Sequence, residues 1–157
     1  MVTETQSAEI KEVLHPERIF LLSPVYQPKW YPGEIDPNKQ EVFSDKIRGD
    51  FIIKNLKKAN ELGYSTVLIY DPKDNAQFLE TINSIEPNGT NTIVIQKQSE
   101  TTYSGARRDA IRLATMNSNC EVIVMLELEK PMIEHIPSMV QQILDDKLDG
   151  KSCLEKY

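Results

Sequence analysis

Four short apolar runs punctuate the chain: residues 18–26 (RIFLLSPVY), 65–70 (STVLIY), 92–96 (TIVIQ) and 122–126 (VIVML). They are too short for ordinary helices and the right length for strands. The first is apolar without alternation, which predicts burial on both faces, as in a parallel sheet. Between and after the runs lie segments with helical spacing. The resulting order, β-α-β-α-β-α-β-α, predicts a mainly parallel sheet with right-handed crossovers. The expected class is therefore α/β, a three-layer α/β/α, Rossmann-like arrangement.

The helical segments carry their own punctuation. Residues 45–62 place Ile52, Leu56, Ala59 and Leu62 on one stripe, with Gly63 as the stop and Lys54, Lys57 and Lys58 on a solvated face. Asp74 with Gln77 reads as a capping box for a helix using Phe78, Leu79, Ile82 and Ile85. Ser104 is positioned to cap a helix carrying Arg107, Arg108 and Arg112. The last helix is expected to start at Pro131, with Met132, Ile133, Ile136, Met139, Val140, Ile143 and Leu144 as its core stripe. Turns fall at Pro87-Asn88-Gly89 and at Asn117–Asn119.

Residues 27–44 hold Pro28, Pro32 and Pro37 and no periodicity, which predicts a long loop more mobile than the core. Trp30 and Tyr31 in that loop either stack on a base or sugar or anchor the loop to the domain. A chain of 157 residues fits one domain. Residues 18–150 are expected to form it, with polar tails at 1–17 and 151–157.

A formal net charge of −6 argues against general nucleic-acid binding. Two cysteines, Cys120 and Cys153, lie in no CxxC spacing, which reads as unpaired thiols of a reduced, cytoplasmic protein rather than a zinc site or disulfide scaffold. The N-terminal residues have no apolar core of the kind a signal peptide needs. The apolar runs are too short to span a bilayer, which leaves a membrane-bound substrate open.

Ligands in open α/β sheets bind beyond the carboxyl ends of the strands. Ser23, Asp71 and the pair Glu127/Glu129 all fall at such ends, and Arg107 lies on the segment after the third strand. In extended backbone Glu127 and Glu129 point to the same side. Two carboxylates so placed suit a hard divalent cation; the same E-x-E also describes a solvated strand end. One of the three arginines suits a bidentate phosphate contact, or ion pairs with acids such as Asp109. Asp71 suits a base or ribose hydroxyl, or a helix cap. His135, beside Glu134 near a helix start, is expected to be exposed. No Ser-His-Asp arrangement, P-loop or GxGxxG motif is present.

Taken in order, these parts resemble the nucleotide-binding half of the family 2 glycosyltransferases, which have the GT-A fold. The likeness spans residues 18–145. SPVY at 23–26 resembles the first-strand PVYN segment, and VLIYDPKDN at 67–75 the second strand with its uridine-contacting Asp, here Asp71. GARRDAIRLA at 105–114 is similar to the ARN-x-G helix, with Arg108 for Asn and Ala110 for Gly. IVMLELEKP at 123–131 resembles the strand ending in Asp-x-Asp, with Glu127 and Glu129 at the aspartate positions. Within the family, the chain resembles the polyprenol-phosphate sugar synthase branch.

The resemblance implies a nucleotide-diphosphate sugar as ligand, with Ser23, Pro24, Tyr26, Asp71 and Arg107 at the nucleotide. It implies Mn or Mg at Glu127 and Glu129, and a lipid-phosphate or protein acceptor. The acceptor half and catalytic base of the family have no counterpart in this sequence, so no base is assigned. A partner subunit or second copy would complete a transferase. A non-catalytic GT-A-like module binding a nucleotide or protein is the alternative, and an unrelated flavodoxin-like regulator is a third.

Overall fold

A computed structural model of the protein describes residues 15–25, 29–39, 43–71, 75–99, 102–128 and 133–146. The elements are β1 (Ile19–Val25), α1 (Phe43–Glu61), β2 (Ser65–Tyr70), α2 (Ala76–Asn83), β3 (Ile93–Lys97), α3 (Tyr103–Thr115), β4 (Val122–Met125) and α4 (Ile136–Asp146). Short 3-10 turns at Pro16–Arg18 and Ile133–His135 precede β1 and α4. The four strands form one sheet in the order β3-β2-β1-β4, and every neighbouring pair is parallel. This is the expected α/β, Rossmann-like class.

Handedness explains which helix covers which face. The steps β1→β2 and β2→β3 move in one direction, so right-handed crossovers put α1 and α2 on one face. The step β3→β4 reverses direction past two strands, which sends α3 to the other face. The cores agree. Leu21, Val25, Leu68 and Val124 pack with Trp30, Leu56, Phe78, Ile82, Ile136 and Val140 on the α1/α2/α4 face. Phe20, Leu22, Val67 and Ile69 pack with Ala106, Ala110 and Ala114 of α3 on the other. The alanines recur every four residues, one per helical turn.

Local details differ from the sequence reading at four places. The α3 cap is Thr102, whose hydroxyl accepts the Gly105 N–H at 3.0 Å; Ser104 lies inside the helix. The α2 cap is Asn75, which accepts from Phe78 N at 3.2 Å; Asp74 lies outside the described residues. Leu62 is exposed rather than on the stripe, because α1 has ended at Glu61. Gly63 does stop the helix, at φ 87°, with Tyr64 N returning to Ala59 O. α4 begins at Ile136, not Pro131. Pro137 has no N–H and its ring would clash with the Ile133 carbonyl in a continuous helix. The chain instead makes a 3-10 turn and admits Pro137 in the first turn of α4. Pro131, Met132 and both tails, apart from residues 15–17, lie outside the described residues.

Candidate functional site

The strand order reverses between β1 and β4, so the switch point of the sheet lies there. Pro24 helps to open it. Leu22 O accepts Leu126 N and Val25 O accepts Asp71 N, so even residues of β1 face β4 and odd ones face β2. Pro24 therefore turns its donor-less nitrogen toward β4. The ladder between β1 and β4 ends at Leu22–Met125, whereas that between β1 and β2 runs on to Val25–Tyr70. Pairing therefore weakens at Pro24 on one side only. A proline in a central strand is tolerated because that side has no ladder left to lose.

Side-chain alternation then sorts the candidates by face. Pro24 continues the row of Phe20 and Leu22, Asp71 that of Val67 and Ile69, and Glu127 that of Ile123 and Met125. All three rows belong to the α3 face. Arg107 is exposed on the second turn of α3, whose first turn lies at the same end of the sheet. Asp71 and Glu127 are both partly exposed, on strands either side of β1. Two strand spacings across the sheet and a two-residue offset along it put them roughly 12 Å apart at the level of the sheet.

Ser23 belongs to the opposite face and is 1% exposed. Its hydroxyl accepts the Leu128 N–H at 3.2 Å. Asn55 of α1, 6% exposed, donates its amide to the Leu128 carbonyl. Leu126 and Leu128 are buried in the α1-face core, which leaves Glu127 between them turned the other way. Asn55 was missed by sequence reasoning. Its signal was a polar residue next to the apolar stripe of Ile52, Leu56 and Ala59.

Tyr26, expected at the nucleotide, and Glu129, the second acid of the pair, lie outside the described residues. Among the described residues, no three His, Cys, Asp or Glu side chains gather into a group fit for a metal ion. Glu127 supplies the hard oxygen chemistry that Mn or Mg prefers, but one carboxylate is a partial donor set. Cys120 is a free thiol whose ionisation burial pushes up, which is the setting of an unreactive cysteine. His135 is exposed, as expected. No described helix is long and apolar enough to cross a membrane.

The arginine helix is tied down by an acid. Asp109, buried on α3, accepts Ser99 N at 2.7 Å and Ser99 Oγ at 2.8 Å, and Arg112 approaches it at 3.7 Å. The Ser99 amide, then its hydroxyl, and then Arg112 hold the Asp109 carboxyl below its usual value against the opposing effect of burial. Arg112 thus serves an ion pair.

Trp30 and Tyr31 take the anchoring alternative. Trp30 is buried, its ring centroid 5.6 Å from that of Phe78 and its Nε1 donating to Asp50 Oδ1 at 3.1 Å. Tyr31 Oη accepts Asp36 N at 2.8 Å. Lys46, only 1% exposed, sets its ammonium 5.1 Å from both rings and 2.8 Å from Asp50 Oδ1. The carboxylate and two π faces replace the water a buried cation loses. Gly49 makes room, since a Cβ there would lie 2.2 Å from Trp30 Cδ1.

Comparison with protein-family models, with curated proteins and with solved structures gave no match.

Proposed function

We propose that the protein binds a nucleotide diphosphate sugar across the carboxyl end of the sheet on the α3 side, as a GT-A-like donor-binding domain. One observation carries this reading: Pro24, Asp71, Glu127 and the Arg107 turn of α3 share one face and one end of the sheet, beside the β1/β4 switch point. Each of the four segments that resemble family 2 glycosyltransferases contributes one of these residues. Asp71 accepts from the nucleoside and Arg107 pairs with the diphosphate. Glu127 with Glu129 would hold a divalent cation, which when bound neutralises the diphosphate and assists its departure. Sugar transfer additionally requires an acceptor site and a catalytic base.

A non-catalytic nucleotide- or protein-binding module is the second reading. It is favoured by Ser23, whose hydroxyl is engaged by Leu128 rather than turned toward the ligand side.

Thermal unfolding with uridine or guanosine diphosphate, with and without Mn, tests the donor site. Ligand at 100 times its dissociation constant adds about 2.7 kcal/mol, a rise of roughly 5–10 °C for a domain of this size. Replacing Glu127 and Glu129 together by Gln should remove the Mn-dependent share. Calorimetry that finds no binding at millimolar diphosphate in either condition would leave only a non-nucleotide module.

A further inference from the structure

We infer that Ser23 and Asn55 are positioning residues that together set the direction of Glu127, the carboxylate assigned to the cation in the reading proposed above, on which this inference rests. They grip the backbone of one residue, Leu128, from two different elements. Ser23 Oγ, on β1, takes the Leu128 N–H at 3.2 Å, and Asn55 Nδ2, on α1, donates to the Leu128 carbonyl. Leu128 is therefore held at both of its backbone polar groups, and its side chain is buried. Just before it, Leu126 N is fixed to Leu22 O at 2.8 Å.

Glu127 sits between these two anchors. With Leu126 and Leu128 both committed to the α1-side core, the side chain of Glu127 is directed to the α3 face, where Asp71 and Arg107 lie. The clamp also replaces a ladder that Pro24 cannot extend. β1 and β4 stop pairing at Leu22–Met125, with the bond from Leu126 N to Leu22 O at the end of their ladder. A serine and an asparagine supply the replacement from the face opposite to the ligand. A side chain that grips backbone from behind need not touch ligand at all, which separates the role of Ser23 from that of Pro24 beside it.

The test uses the full chain, with amide hydrogen exchange on the free protein and calorimetry with uridine diphosphate and guanosine diphosphate, each with and without Mn. Ser23→Ala and Asn55→Ala should each speed exchange at Leu128 about tenfold, as expected for one lost hydrogen bond. Exchange at Val67–Ile69 should be unchanged. Ser23→Thr, which keeps the hydroxyl, should restore slow exchange at Leu128. Each alanine variant should lose about tenfold of the affinity gained from Mn while keeping the Mn-free affinity, a split that general destabilisation does not produce. Unchanged Leu128 exchange in both alanine variants overturns the clamp. Faster exchange with the Mn gain intact overturns the link to Glu127. A wild type that binds neither diphosphate removes the nucleotide reading and with it the role assigned to Glu127, while the exchange result still decides the clamp. Should Asn55→Ala fail to fold, Ser23→Ala and Ser23→Thr carry the test.

Discussion

Two buried serines, one at each end of the sheet, do the same local job in different settings. At the amino end, Ser65 of β2 donates to Glu17 O at 2.7 Å and accepts Thr92 N at 2.9 Å. At the carboxyl end, Ser23 of β1 accepts Leu128 N. Around Ser65 the chain is closed on itself. Asn91 donates to Tyr64 O at 2.9 Å and to Asn60 Oδ1 at 2.8 Å, Asn60 donates to Glu86 O at 2.7 Å, and Arg18 pairs with Glu121 at 2.7 Å. Around Ser23 the strands part, and Asp71, Glu127 and Arg107 keep some of their surface in solvent. A hydroxyl that holds a neighbouring strand is therefore architecture at one end and, in the proposed reading, the support of a site at the other. The difference lies in what the held segment carries next: Ile93 and the edge strand after Thr92, but Glu127 before Leu128.

The comparison can be broken most forcefully at Ser65. Ser65→Ala removes two backbone partners at once, each a loss of order 1–3 kcal/mol when buried. A destabilisation of about 2–4 kcal/mol is expected, seen as a drop of about 4–16 °C in melting temperature, with no selective effect on any ligand. Ser23→Ala removes one partner and should cost about 1–3 kcal/mol. If chemical denaturation finds Ser23→Ala costlier than Ser65→Ala, the contrast between closed and open ends is wrong.

Asp109 sharpens the contrast through pH. Its carboxyl is depressed by Ser99 and Arg112, so the folded state binds its proton less readily than the unfolded chain. The stabilisation is present above the ordinary aspartate value and is lost as pH falls through the lower, folded value. Asp109→Asn keeps the shape and one acceptor oxygen but cannot titrate. Melting temperatures measured from pH 6 down to pH 2 should fall less steeply in the variant; parallel curves would show that Ser99 and Arg112 do not hold the carboxylate. The smallest effect on the fold is expected at Arg107. Arg107→Ala on the exposed helix face should change stability by about 0.5 kcal/mol or less. It should nonetheless weaken diphosphate far more than nucleoside, because it removes a charge-assisted contact to phosphate alone. Equal losses for both ligands would detach Arg107 from the phosphate.

The strands were legible because short apolar runs without alternation have few other solutions, and Leu21, Leu22, Val67 and Leu68 are buried as that pattern required. Helix ends were less so. Thr102 and Ser104 are both good caps two residues apart, and nothing local decides between them. Pro137 outweighed the apolar stripe that began at Met132, since a missing donor and a steric clash cost more than stripe continuity gains. Within the site, the carboxyl ends of Asp71 and Glu127 followed from strand order alone. The role of Ser23 did not, because alternation assigns its face only once the sheet's two covers are known. Asn55 and Lys46 were hidden for a different reason: each is polar, and its burial depends on partners 73 residues away at Leu128 or across a proline-rich loop at Trp30 and Tyr31.

Pro24 has a consequence for how the molecule assembles. β1, β2 and β3 are laid down side by side through consecutive crossovers, each strand pairing with the one before it. β4 must instead travel from the far edge past two strands, and it finds a shorter ladder on β1 than β2 does. Long-range pairing closes a large loop before it gains any contact. β4 is thus expected to dock last during folding and to open first in native fluctuations, which stopped-flow refolding followed at Glu127-dependent binding would record as a lag behind helix formation. Binding competence would then arrive only with the final strand, and a partly unfolded chain could keep three strands of its sheet while holding no ligand.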